Sequence, residues 1–267
     1  MDPSLLIILA LGFVIHLIDT LAYSVRIAGI RTGRLAISFS LFNLFVLVSR
    51  TANSLQAPLL AKRVEMHITG GTGPLMLPDL RWLLAAGSLA TVVGACLIPT
   101  FQSAFTKAVR AFNVHRSVPR LLFVSFSRSG VAHLRDSLRM PAATALAELP
   151  RAPRLPIYIL IINTLGVAAW TVAVVAALYA GTIQPALRVT AVSLSAFISG
   201  GATILLYVFS DPYLAGLTDD VLEGRATEPF FRRSVIWLVG SRLVGTLGAQ
   251  LLLVPAASAI ALLARRL

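Results

Sequence analysis

Six stretches of this sequence are too long and too apolar to fold as parts of a water-soluble domain, and they dictate most of what the chain can become. They fall at about 4–24, 35–60, 80–105, 156–180, 187–209 and 235–263. A helix rises about 1.5 Å per residue, so about 20 apolar residues cross a hydrocarbon layer about 30 Å thick. In lipid every backbone polar group needs an internal partner, and a helix supplies it segment by segment. The reading is an all-α polytopic membrane protein, one transmembrane helical domain over 1–267. A basic, partly amphipathic loop at about 106–155 separates the third and fourth spans. Composition agrees: 57% of residues are hydrophobic and 13% charged, where a soluble domain has about a quarter charged.

The net charge of +12 does not signal nucleic acid, because the basic residues lie between the spans. The loops after spans one, three and five hold 15 Lys and Arg, and the opposite side holds 6. The positive-inside bias then places the long loop in the cytoplasm and both termini outside a cytoplasmic membrane. Within the loop, Val131, Leu134 and Leu138 share one helical face and Arg128, Arg135 and Arg139 another. That pattern suits a helix lying on anionic lipid, or a docking surface for a partner. Arg outnumbers Lys 21 to 2, and a guanidinium is the better bidentate partner for phosphate. The single cysteine, Cys96, excludes an intrachain disulfide and a cysteine-based metal centre. The first 26 residues have an apolar run too long, and a start too poor in basic residues, for a cleavable signal peptide, so they read as the first span.

Polar residues inside the spans carry the functional signal. In span two, fourteen uncharged residues from Leu35 to Val48 lead without a turn signal into Ser49, Arg50, Thr51, Asn53, Ser54 and Gln56. Arg50 stands about 22 Å into the helix, where an unpartnered guanidinium costs at least ~2.5 kcal/mol. It must snorkel to headgroups, pair with a buried carboxylate, or line a polar pathway for an anion. Span six repeats the theme, with Arg242, Thr246 and Gln250 at i, i+4 and i+8. Counted from 235, Arg242 is about 10 Å deep, so the two arginines are expected at different depths, as steps for an anionic headgroup.

Span one carries Gly12, His16, Asp19, Tyr23 and Arg26 at spacings of 4, 3, 4 and 3, a single helix face. Asp19 is the best partner in the chain for a membrane arginine. His16 is either a proton relay or a neutral packing residue. Pro99 with Thr100, Gln102 and Ser103 suggests a kink beside a cavity. Span five is rich in small residues around Gly200 and Gly201, read as close helix packing or a flex point. Asp211-Pro212 is read as its end. The acidic cluster of Asp211, Asp219 and Asp220, with Glu223, fits no calcium loop and is read as helix capping, a cation site or a clamp for basic groups.

Several chemistries lack their signatures. No Gly-Lys-Ser/Thr loop, His-Glu-x-x-His motif or Cys/His cluster occurs, so no cofactor or metal is expected. Ser127-Arg128 followed by His133 and Asp136 is similar to the last motif of membrane lipid phosphatases. Both intervals are one residue short, and that family's Lys…Arg-Pro and Pro-Ser-Gly-His companions are missing.

The stretches FSLFNLFVLVSRTANSLQAPLLAK (39–62), ISGGATILLYVFSDPYLAGLTDDVLEG (198–224) and LVGSRLVGTLGAQLLLVPAA (238–257) resemble the Amj family of bacterial lipid II flippases, the alternate to MurJ. The likeness extends over the whole chain in length, span number and segment order. It implies transport rather than catalysis: undecaprenyl-diphosphate-linked disaccharide-pentapeptide crosses the cytoplasmic membrane for peptidoglycan synthesis. The resemblance supplies no site residues. On physical grounds Arg50 and Arg242 are expected to contact the diphosphate, with Asn53, Gln56, Thr246 and Gln250 hydrogen-bonding to sugar or peptide. Asp19 is expected to hold an arginine when the site is empty, with His16 beside it. The expected partners are lipid II, anionic lipids and a second copy of the chain, six spans being few for so large a cargo. Two other readings stand beside this one. An enzyme acting on a polyprenyl phosphate would depend on His133 or the Asp219/Asp220 pair. A scaffold or regulatory subunit would depend on the basic loop.

Overall fold

The computed structural model describes residues 2–115 and 155–267, and each of the six apolar stretches falls in a helical segment longer than the apolar run itself, the fifth one composite. Helix α1 spans Pro3–Thr32, α2 Leu35–Thr69 and α3 Met76–His115. After the undescribed residues come α4 (Ile157–Ile183), α5 (Arg188–Leu205), α6 (Asp211–Leu222) and α7 (Glu228–Arg266). The basic amphipathic stretch around Arg128–Arg139 and the Ser127–Asp136 motif lie outside the described residues. Among the described residues, six segments are long and apolar enough to cross a membrane, so this is a multi-pass membrane protein.

Two boundaries differ from the sequence reading. The fifth segment does not stop at Asp211-Pro212; it passes through a π-helical turn, Leu206–Ser210, and continues as α6. Pro212 is accommodated because it occupies the first turn of α6, where a missing N–H costs nothing. The sixth segment starts at Glu228 rather than 235, with the Thr227 side chain accepting from Phe230 N at the cap. Arg232 and Arg233, read as loop, are therefore helical.

The ends of the bundle are fastened by ion pairs. At one end Arg31, in the last turn of α1, binds Glu228, the first residue of α7, at 2.6 Å. At the other end Arg63 of α2 reaches Asp79 of α3 and Asp2, both at 2.7 Å. Asp2 also caps α1 by accepting from Ser4 N and Ser4 Oγ. Those bonds, from Ser4 first and Arg63 next, hold the Asp2 carboxyl down to a pKa of about 2. We refer to the two ends by Arg31 and Arg63.

Helix α4 is the central post, with Ala173, Ala176, Ala177 and Ala180 fully buried along one face. Small residues let neighbouring backbones approach, and the seam with α7 is the closest. A Cβ on Gly245 would stand 2.7 Å from the carbonyl oxygen of Thr164, so only glycine fits there. Asn163 Nδ2 donates to Ser241 Oγ (2.8 Å) and Leu238 O (3.2 Å), and Thr164 donates to Ser241 O (3.2 Å), stapling α4 to α7. Helix α5 is the opposite case. Only 11% of the most apolar window in its segment is buried, against 56% for α4. A Cβ on Gly200 or Gly201 would meet nothing within 4 Å. The Gly-Gly pair therefore packs against no other helix among the described residues.

Helix α2 is anchored at both ends, and between them it buries Ser49, Ala52 and Gln56 on one face and exposes the other. Near the Arg31 end Phe45 packs edge-on against Phe101 of α3 (5.1 Å), which stacks on Phe105 (5.3 Å). Near the Arg63 end Leu60 and Val64 join the apolar core with Ile8, Leu80 and Leu253. Between these anchors Arg50, Thr51, Asn53, Ser54 and Leu55 are exposed. A second apolar cluster around Ile27, Phe231 and Leu238 closes the bundle toward the Arg31 end. A polar layer lies between the two clusters.

Candidate functional site

The polar face of α1 organises this layer, its members meeting α2, α4, α6 and α7. His16 stands edge-on to Trp170 of α4 (centroids 5.9 Å apart). Asp19 accepts from Arg242 Nη2 of α7 at 3.1 Å. Tyr23 is within hydrogen-bonding reach of Asn163 on α4. Arg26 pairs with Asp211 of α6 at 3.8 Å and covers the Phe39 ring of α2 at 5.2 Å. The 4-3-4-3 spacing thus projects one column of side chains into the bundle.

The two membrane arginines lie at one level. Thr32 and Leu35 flank the turn that joins α1 to α2, and the Arg31–Glu228 pair brings the start of α7 to the same end. Counted from there at 1.5 Å per residue, Asp19 is about 20 Å deep, Arg50 about 22 Å and Arg242 about 21 Å. The 10 Å depth expected for Arg242 came from starting its helix seven residues late. The arrangement is one layer, not two steps. Arg242 of α7 holds Asp19 directly, and Arg50 of α2 stands at nearly the same count of residues from the Arg31 end.

Their surroundings differ. Arg242 is 8% exposed, and its Nε is buried with no hydrogen-bond partner. Arg50 is exposed on α2 and forms no hydrogen bond or ion pair among the described residues. The Asp19–Arg242 pair offsets its own charges, and Arg50 adds a positive charge at the same level on the exposed face of α2. Such a layer attracts an anion with planar, multiply accepting oxygens.

The residues expected to supply neutral hydrogen bonds separate into two groups. Asn53, Gln56 and His16 line one cavity of ≈ 250 Å³, and Gln56 Nε2 also donates to Ile8 O of α1 at 2.9 Å. Thr246 is fully buried and donates to Leu243 O of its own helix, so nothing of it faces that cavity. Gln250 donates to Arg81 O at 2.8 Å and lies in a separate groove beside Trp82. The structure does not bring Thr246 and Gln250 together with Asn53 and Gln56. The acidic cluster is engaged by cations of the chain: Asp220 pairs with Arg225 at 2.7 Å and Glu223 contacts the same guanidinium. Asp219, like Asp211, acts on Arg26. Among the described residues no three His, Cys, Asp or Glu side chains are grouped to hold a metal ion.

Trp170 and Thr171 line the cavity with His16 and were not singled out from the sequence. A tryptophan in the middle of a span, away from the interfacial belts where that residue concentrates, was the available signal.

Six apolar segments around a polar layer that holds the Asp19–Arg242 pair define a polytopic helical membrane protein with a charged interior. The chain belongs to the Amj family, described as alternate to MurJ, whose model matches residues 11–264. It is also 33% identical over 269 residues to the lipid II flippase Amj of Bacillus subtilis (strain 168), covering 98% of this chain and 97% of that protein. No solved structure matches it.

Proposed function

We propose that this chain is a lipid II flippase, a transporter with no catalytic step, and that its polar layer receives the diphosphate of the lipid. The carrying observation is the Asp19–Arg242 pair held at the depth of Arg50. A diphosphate entering this layer meets two guanidiniums, one of them without a direct partner. Displacing Asp19 from Arg242 leaves the carboxylate without its partner, a cost that the diphosphate's contacts to both guanidiniums offset. The polyprenyl tail stays in lipid beside the exposed faces of α2 and α5.

In this proposal the protein lies in the cytoplasmic membrane, with the Arg31 end inside and both termini outside. The 15-to-6 distribution of basic residues supports that orientation.

The test uses cells depleted of their main flippase, with this chain or its Arg50→Ala variant as the replacement. The readout is the fraction of lipid II accessible at the outer leaflet to an impermeant probe. Restored exposure with the wild-type chain, absent with an equally abundant variant, supports both transport and the role of Arg50. No restoration by the wild-type chain overturns the proposal.

A further inference from the structure

The cavity beside the charged layer is built differently from that layer. It lies between α1, α2, α4 and α5, with α3 contributing Leu83 and Leu84 to its floor. No Asp, Glu, Lys or Arg lines it. Its polar groups are His16, Asn53, Gln56, Thr171 and Ser199, and Trp170 forms part of the wall. Two of these residues carry buried polar atoms with no hydrogen-bond partner among the described residues: His16 Nδ1 and Thr171 Oγ1. Thr171 is 7% exposed. The imidazole is admitted by Gly87 of α3, where a Cβ would stand 2.8 Å from the ring. Leaving such atoms unsatisfied in an apolar cavity is costly, so a ligand that both donates and accepts is favoured there.

Position narrows the ligand further. On α1, His16 and Gly12 lie three and seven residues from Asp19 toward the Arg63 end. On α2, Asn53 and Gln56 lie three and six residues from Arg50 in the same direction. At 1.5 Å per residue, the neutral layer starts about 5 Å from the charged one and extends about 5 Å beyond that. Whatever occupies it is therefore a near covalent neighbour of the anionic group. A cavity of ≈ 250 Å³ is smaller than the ~300–1,000 Å³ typical for drug-sized ligands. It accommodates one ring rather than a whole oligosaccharide.

We infer that this cavity is a sugar subsite, which takes the neutral, hydroxyl- and amide-bearing ring bonded directly to the diphosphate, with Thr171, His16 and Asn53 as hydrogen-bonding residues and Trp170 as the apolar wall. The inference rests on the proposed flippase reading for the placement of the diphosphate.

The test uses the full-length protein in nanodiscs, with Trp82→Phe and Trp237→Phe leaving Trp170 as the single tryptophan reporter. Both replaced residues are exposed, at 57% and 43%. The probes are farnesyl diphosphate and the same lipid bearing one N-acetylhexosamine on its terminal phosphate. The sugar-bearing probe is expected to bind about tenfold more tightly, the scale of one or two neutral hydrogen bonds, and to shift the Trp170 emission. Thr171→Val and His16→Phe are expected to bring that ratio near one, while Thr171→Ser, which keeps the hydroxyl, preserves it. An equal affinity for the two probes overturns the sugar subsite, as does a preference that survives both substitutions. Failure of the wild-type protein to bind either probe overturns the flippase reading itself, and with it this inference.

Discussion

Arg242 and Arg50 share a level, yet one is buried and paired with Asp19 in the α1–α7 seam and the other stands on the exposed face of α2. The contrast separates two uses of a membrane charge. Arg242 belongs to the fold, because its pairing with Asp19 joins the first and last helices. Arg50 contributes nothing comparable to packing, and its helix is anchored by aromatic contacts and the Arg63 clamp on either side. Arg50, with no hydrogen bond or ion pair among the described residues, is the membrane charge whose loss should disturb the fold least.

The sharpest way to break this comparison is Asp19→Ala, which leaves Arg242 buried without its partner. Removing one member of a buried pair costs about 3–5 kcal/mol, so the folded, monodisperse fraction in detergent should fall steeply. Asp19→Ala combined with Arg242→Leu should recover much of that fraction while lipid II exposure stays absent. If the single variant accumulates normally, the pair is not structural. Next in size is Arg50→Ala, expected to abolish lipid II exposure in cells with abundance and thermal stability unchanged. A parallel loss of abundance would erase the distinction between the two arginines.

A smaller effect follows from packing. Gly245→Ala forces a methyl against the Thr164 carbonyl in the α4–α7 seam, and overpacking of this kind costs about 1–3 kcal/mol. Gly200→Ala on the open face of α5 should change thermal stability by less than about 0.5 kcal/mol. Equal melting shifts for the two would show that α5 packs more closely than its open face indicates. The smallest effect is acidic. The Asp2 carboxyl is held below its ordinary value by Ser4 and Arg63, so its contribution is complete above pH 3.8 and is lost as pH falls through about 2. Asp2→Asn should flatten that part of a stability-versus-pH curve by slightly lowering stability at neutral pH, and leave stability below pH 2 unchanged.

Much of this architecture was legible in the residue pattern. The 4-3-4-3 spacing on α1 placed five side chains on one face, and each now meets a neighbouring helix. Asp19 was identifiable because α1 offered a carboxylate among apolar residues, opposite spans that contained bare arginines. The depth of Arg242 was misread for a physical reason: Glu228, Arg232 and Arg233 resemble loop when hydropathy is the guide, although a capped helix extends past the hydrocarbon freely. Asp211-Pro212 was misread similarly, since proline ends one helix or begins another, and the π-helical turn absorbs the join. Which neutral residues share a cavity was beyond reach. That depends on helix rotation, and Thr246 and Gln250 sit on the arginine's own stripe yet point into a seam and a different groove.

The common level of Arg50, Arg242 and Asp19 has an electrical consequence. A full charge crossing the membrane exchanges about 2.3 kcal/mol per 100 mV with the transmembrane potential. Charges fixed halfway exchange none of it, provided the helices reorient around them instead of carrying them across. The anion then traverses the voltage drop in two portions, one on entry and one on exit, with the protein's own charge stationary between them. In such a device the resting potential of the cell weights arrival and departure of the cargo, not the motion of the empty protein.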